Sequence, residues 1–215
     1  MFLKKSKAAL LFLLLISSGL WAEGETFRFS SDKTTAVLTK GRERTLLQGN
    51  AVIVSGSTTI KAERIELYGS DFRYADCSGG IKVTDSQKGL IINCQTMFYD
   101  RKEEITRIDG YVEMIDLDNE IVAKAGFLEN YGKEDLSILQ IGVRILKEDM
   151  ACRSEYARYN RDTDILELSG MPVVFWKGDE YRASRIIINL DTDEISLEGE
   201  VMGSITSGKE TEEKE

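Results

Sequence analysis

Three acidic runs and three cysteines are the side chains that could do chemistry in this sequence. Asp116-Leu-Asp118-Asn-Glu120 spaces its carboxylates roughly as a cation-binding loop does. Asp162-Thr-Asp164 and Asp191-Thr-Asp193-Glu194 offer further pairs. A calcium loop of the EF-hand type needs a central Gly and a distal bidentate Glu. The run from Asp116 has neither at the right place, so a solvated hairpin turn is the expectation. Two carboxylates also suit glycoside cleavage, but acidic residues are abundant and nothing singles out one pair. The chain has no histidine, which removes His-dependent triads, His general bases and His-ligated zinc together. Cys77, Cys94 and Cys152 are odd in number, so at least one is unpaired within a monomer.

The elements that carry these residues repeat. The pattern apolar-x-Gly-x-apolar starts at Leu47, Cys77, Ile108, Leu168 and Leu197, with a degenerate copy at Leu139 where Ile141 takes the Gly slot. Successive starts are 30, 31, 31, 29 and 29 residues apart. So steady a period signals stacked units, none of which can bury its own face alone. Small residues (Ala62, Cys94, Ala125, Ala183) form a second column, each followed three positions later by an apolar residue; Cys152 is placed in the same column. A step of three changes face in a flat strand, so a β-bulge is expected there. Tyr68, Tyr99, Tyr131, Tyr159 and Leu190 precede polar clusters that read as turns, and the Asp-Thr-Asp runs fall among those turns. Alternation at period two argues for strands. Ile108, Gly110, Val112 and Met114 share one face, while Asp109, Tyr111 and Glu113 share the other.

The fold class is therefore all-β: an elongated, flattened β-roll of about a dozen or more stacked antiparallel strands. Opposing bulky residues could fill its interior, or the small-residue columns could leave an apolar channel for a ligand. In the Cys94 column, Cys152 lies two units on, ~9.6 Å by strand spacing. That exceeds the ~7 Å Cα reach of a disulfide; spacing leaves a Cys77–Cys94 pair open, and buried thiols acting as small hydrophobes are the expectation. Phe175 and Trp176 point to opposite faces of one strand, so one of them is expected at the surface, either as an ordinary exposed aromatic or as a contact for a partner or a lipid.

The N-terminal end reads as a secretory signal peptide: Lys4, Lys5 and Lys7, an apolar run over 8–16, and a cut after Ala22. The domain spans 23–205, and the acidic residues 206–215 read as a disordered tail. Without the three leader lysines the formal charge of −9 becomes −12. That argues against nucleic acid and anionic lipid surfaces as partners.

Ser31-Asp32-Lys33, Gly49-Asn50-Ala51-Val52-Ile53 and Ile60-Lys61-Ala62-Glu63-Arg64-Ile65 resemble the OstA/LptA-like lipopolysaccharide-transport family. Glu63 stands where that family usually has Asp. The match is good over about 45 residues (27–33 and 46–67, with the turn between) and pattern-level beyond. The resemblance implies a periplasmic β-jellyroll that holds the acyl chains of lipid A in its interior and passes the glycolipid toward the outer membrane. It implies no catalysis and no cofactor. It implies partners joined by edge-strand addition: inner- and outer-membrane jellyroll components, and further copies head to tail. The expected edges are the 26–38 and 194–205 regions.

The residues expected to line the interior follow the alternation. In the first unit they are Leu47, Ala51, Ile53, Ile60, Ala62 and Ile65; in the second, Ile81, Val83, Ile92 and Met97. In the middle they are Ile108, Val112, Met114, Leu128, Ile141 and Val143; toward the end, Leu168, Val174, Ile186 and Leu197. Three alternatives stay open on sequence alone. One is a membrane-anchored jellyroll of the same pathway that keeps its N-terminal segment. Another is a structural β-solenoid that polymerises without lipid. The third is a β-helical polysaccharide enzyme, for which no unit shows the needed cluster of catalytic groups.

Overall fold

The computed structural model describes residues 27–205. The expected leader and tail lie outside the described residues. Strands β1 (Phe27–Ser30), β2 (Lys33–Val37), β3 (Arg44–Ser55), β4 (Thr58–Tyr68), β5 (Tyr74–Asp85), β6 (Leu90–Asp100), β7 (Ile105–Asp116) and β8 (Ile121–Tyr131) make the first half. The second half holds β9 (Leu136–Lys147), β10 (Met150–Asn160), β11 (Ile165–Ser169), β12 (Val173–Trp176), β13 (Asp179–Arg182), β14 (Arg185–Asn189), β15 (Glu194–Glu198) and β16 (Met202–Ser204). All sixteen belong to one antiparallel sheet, in which each long strand pairs with the next.

A single line of register shifts crosses this sheet. It falls between Gln48 and Ala51 on β3, Lys61 and Arg64 on β4, Ser78 and Ile81 on β5, and Asp109 and Val112 on β7. Near the ends the ladder breaks at that line, so β1 and β2 both pair with β3, while β11 and β12 both pair with β10. Counting the split pairs β1/β2, β11/β12, β13/β14 and β15/β16 as one rung each, the stack has twelve rungs. The sheet folds along the line into two walls. The first wall contains Arg44–Gln48 and its partners; the second contains Ala51–Ser55 and its partners.

The recurring Gly makes this corner. Gly79 has φ +83°, and a Cβ there would lie 2.8 Å from the Cβ of Glu63 on the neighbouring strand. Both the left-handed backbone and the close approach select Gly. The Gly slot is thus a bend in the wall, not a gap in the lumen. Ile141 occupies the same bend at φ +69°. It faces solvent, 63% exposed, which corrects its assignment to the interior: in a bulge of this kind the residue in the Gly slot turns outward.

The bulge expected in the small-residue column is present. Ala62 and Ile65 are both buried across the shift, as are Cys94 with Met97 and Ala125 with Leu128. On β10 the equivalent pair is Ser154 with Ala157. Cys152 therefore belongs one inward position further from the corner, paired with Ile145 and Val174. Cys94 pairs with Ile81 and Val112, so the two thiols do not share a column. Small residues suit positions beside the corner because the walls converge there.

Candidate apolar binding site

Inward side chains from both walls form one continuous cluster. Of the residues expected inside, all but three are buried; Val83 and Leu197 are partly buried against that cluster, and Ile141 is outside. Packing along the roll is uneven. A cavity of about 300 Å³ lies between the walls at the β1 end. It is lined by Phe27, Ile53, Ile60, Leu67, Phe72, Ala75 and Tyr99, with a polar border of Ser55, Ser57, Thr58, Arg73, Asp85, Gln87, Lys88, Arg101 and Glu104. Adjoining it, a second space of about 90 Å³ reaches Val83, Leu90, Ile92, Met97 and Met114. Beyond Met114 the space between Ile121, Leu139, Ile145 and Leu166 has closed to about 0 Å³.

The interior thus tapers from a cavity at the β1 end to a filled space beyond Met114. Ile53, Ile60, Val83, Ile92, Met97 and Met114 border the two cavities. Leu47, Ala51, Ala62, Ile65, Ile81, Ile108, Val112, Leu128, Val143, Leu168, Val174, Ile186 and Leu197 border neither and serve packing. Sequence reasoning missed Phe27, Leu67, Phe72, Ala75, Leu90 and Tyr99. The signal for Phe27 was its alternation with Phe29 in FRF; Phe72 sat in a polar turn and gave none.

A polar collar marks the taper. One inward row of the first wall runs Tyr99, Thr106, Asn130, Ser137, Tyr159 across consecutive strands. It faces Met114 and Asp116 of the second wall: the Ser137 hydroxyl reaches Met114 Sδ at 3.6 Å. The run from Asp116 makes the expected hairpin turn, with Leu117, Asp118 and Glu120 exposed, but Asp116 at its start is fully buried. It accepts from Arg161 Nε at 2.8 Å, the Tyr159 hydroxyl at 3.2 Å, Asn119 Nδ2 at 3.0 Å and the Asn119 backbone N–H at 3.2 Å. Burial first, then Asp116, pushes the Tyr159 hydroxyl pKa well up, so it stays protonated as a donor.

Cations staple the free rim, where the hairpin turns of the two walls face each other. Lys88 of the second wall donates to the Gly132 carbonyl at 2.8 Å and to Asp135 at 2.6 Å on the first. Arg161 bridges to Asp116 and Asp118, and Lys147 donates to the Leu190 carbonyl at 2.8 Å. On the β1 side of Lys88 the rim is crossed by ring contacts instead: Phe27 of the second wall packs edge-on against Phe72 of the first, centroids 6.2 Å apart, and lies under Arg101 at 5.3 Å; the 300 Å³ cavity lies there.

Cys77, Cys94 and Cys152 are buried and free. Burial pushes their thiols up, to about 12, 11 and 12 respectively, which suppresses the reactive thiolate. Among the described residues no group of His, Cys, Asp and Glu is placed to hold a metal, and no helix is long and apolar enough to cross a membrane.

The family described as "LptA/(LptD N-terminal domain) LPS transport protein" matches residues 29–194. Among solved structures, the chain is similar to LptH, the LptA-homologous periplasmic component of the conserved lipopolysaccharide transport device from Pseudomonas aeruginosa. Identity is 11%, with 85% of this chain and 96% of that one covered and a TM-score of 0.26. At that score the likeness carries no argument about this chain. No curated protein matches it.

Proposed function

This chain belongs to the LptA/LptD N-terminal-domain family of lipopolysaccharide transport proteins, and from that premise we propose that it shields the acyl chains of lipopolysaccharide, or a related glycolipid, in the open β1 end of its interior. The observation that carries the reading is the 300 Å³ cavity, with apolar side chains from both walls and a mouth bordered by charges of both signs, Arg73, Lys88 and Arg101 with Asp85 and Glu104. Its volume is at the lower end of the ~300–1,000 Å³ typical of ligand pockets. Each methylene moved from water into it gains about 0.8 kcal/mol. The acyl chains enter at the β1 end of the rim, past the Phe27–Phe72 contact, and the glycan stays in water beside Arg73 and Arg101. The site of action is the periplasm, reached by the leader peptide.

The edges suit a bridge. β1 and β2 at one end, and β15 and β16 at the other, each pair on one side only. Unpaired edges recruit further strands, so partner jellyrolls or further copies add there, head to tail. The filled far half is a scaffold that fixes the distance between the two edges.

Photo-crosslinking tests the lipid reading. Benzoylphenylalanine at Ile53 or Ile60 is expected to capture radiolabelled lipopolysaccharide in intact cells, while the same probe at exposed Tyr111 captures none. Equal yield at all three positions, or none at either inward one, would overturn the proposal.

A further inference from the structure

The polar side chains around the 90 Å³ space fall into two groups. The charged ones at its enclosed side are engaged with one another. Asp85 accepts from the Thr58 hydroxyl at 3.2 Å and from the Gln87 and Lys88 N–H groups at 3.0 and 3.1 Å. Asp135 holds Lys88, and Asp116 holds Arg161 and the Tyr159 hydroxyl. Glu104 is exposed at the solvent edge. The neutral groups keep hydrogen-bonding capacity. Thr106 is only 8% exposed, yet its hydroxyl makes no hydrogen bond among the described residues. Asn130 Oδ1 accepts from the Ser137 hydroxyl at 2.8 Å, and the Nδ2 end of the same amide has no partner among those residues.

Thr106 and Asn130 stand directly opposite each other on β7 and β8, in one inward row. Side chains so placed have Cβ atoms ~5 Å apart, within reach of one ligand oxygen. Across the space Val83, Leu90, Ile92 and Met114 of the second wall present hydrocarbon. A chain lying here has apolar contacts on one side and two neutral hydrogen-bonding groups on the other. The space is continuous with the 300 Å³ cavity, since Thr58, Ile60 and Tyr99 border both. Thr106 lies just past the 101–104 turn, whose Arg101 and Glu104 border the cavity mouth. The pair therefore meets the head-group end of an entering chain, not its tail.

We propose that Thr106 and Asn130 form a specificity subsite that takes a hydroxyl carried on the first few carbons of an acyl chain. A hydroxyl accepts from the Asn130 Nδ2–H and donates to the Thr106 oxygen, so one group satisfies both. A phosphate is poorly matched, because the cations beside the space are already held by Asp135 and Asp116. An unsubstituted chain would cover both polar groups without pairing them, which is unfavourable. A chain oxygen instead replaces the water that would otherwise serve them. The proposal rests on the reading of the cavity as an acyl-chain site and adds which chains that site prefers.

The test uses the whole protein and two probes that share a carboxylate and a chain length, tetradecanoic acid and 3-hydroxytetradecanoic acid. Each displaces an anthroyloxy-labelled fatty acid, and the ratio of their affinities is read in the unaltered protein, in Thr106→Val and in Asn130→Leu. Each substitution is expected to shift that ratio toward the unsubstituted acid by at least about fivefold. Thermal midpoints check folding; Thr106→Val is isosteric, and it decides the matter if Asn130→Leu, which also strips a bond from Ser137, unfolds. An unchanged ratio in Thr106→Val with both acids bound would overturn the subsite and leave the cavity reading standing. Failure of both acids to displace the label would overturn the two together.

Discussion

Arg161 and Asp116 meet across the gap between the two walls, with the guanidinium Nε–H donating to the fully buried carboxylate at 2.8 Å. The pair joins a turn of each wall, and the cavities end beside it. Asp116→Ala leaves a guanidinium with no buried partner and also strips a bond from Tyr159 and Asn119. Breaking a buried pair costs about 3–5 kcal/mol. Arg161 keeps 20% of its side chain in water, so about 3 kcal/mol is expected, read as a lowered urea midpoint with unchanged slope. Asp116→Leu combined with Arg161→Met is expected to recover part of the loss. A single variant as stable as the parent would mean the staple contributes nothing.

The corner residues give a second prediction, with unequal costs at equivalent positions. Gly79→Ala forces a left-handed backbone on Ala and a contact of 2.8 Å with Glu63; a cost of about 1–3 kcal/mol is expected. Ile141→Gly removes a β-branched residue from φ +69°. It also uncovers Gly126, where a Cβ would meet Ile141 at 2.9 Å. Relief of backbone strain against added chain entropy makes this variant neutral to within about 1 kcal/mol. Denaturant titration of the two side by side checks the ranking, and an Ile141→Gly loss as large as that of Gly79→Ala would refute the corner as the source of strain.

The roll was legible in the sequence because its period and its alternation are both local. Leu47, Gly49 and Ala51 announce one corner, and the same spacing announces the next. The step of three from Ala62 to Ile65 even disclosed the bulge. Ile141 misled because it holds the slot of a residue whose conformation, not its hydrophobicity, is what repeats. The candidate site was far less legible. Phe27, Phe72 and Tyr99 come together across 72 residues of chain, and no local pattern records which rungs leave space between the walls. Asp116 looked like a turn residue; it ends β7 and accepts from Asn119 in the turn that follows. Its burial depends on Tyr159 and Arg161, which lie more than 40 residues on.

Cavity filling separates binding from stability. Ala75 is buried on the cavity wall, so Ala75→Phe projects a ring into space already present. Loss of lipopolysaccharide crosslinking at Ile53 is expected with little change in thermal midpoint. Leu168 is fully buried in the filled half, and Leu168→Ala is expected to cost about 2–5 kcal/mol. Its crosslinking should persist at temperatures where the variant is folded. The reverse pattern would place the lipid in the far half.

The thiols offer a direct check of burial. The native protein is expected to react with no equivalent of a maleimide at neutral pH over minutes, and with three after denaturation, reductant making no difference. Rapid native labelling of Cys77, whose thiol burial holds near 12, would mean the first wall opens locally.

Acid should loosen the cavity mouth first. Asp100 accepts from Arg73 Nε at 2.9 Å, and the backbone N–H groups of Lys102 and Glu103 donate to it at 3.0 and 3.2 Å. Arg73 holds this carboxyl below the ordinary range. At Asp85 burial pushes upward, but the Ser57 hydroxyl and the N–H groups of Lys88 and Gln87 outweigh it, and the net shift is also downward. A carboxyl depressed in the fold binds fewer protons there than in the unfolded chain, where its pKa is about 3.9. Its stabilisation is full above that value and is lost as pH falls through the folded one. Both residues anchor turns beside the cavity, at 100–103 and 85–88. Hydrogen exchange at pH 3 is thus expected to show these turns losing protection before β9 and β10. Asp100→Asn is expected to flatten the dependence of the urea midpoint on pH below about 4, and an unchanged dependence would assign the acid sensitivity to other carboxylates.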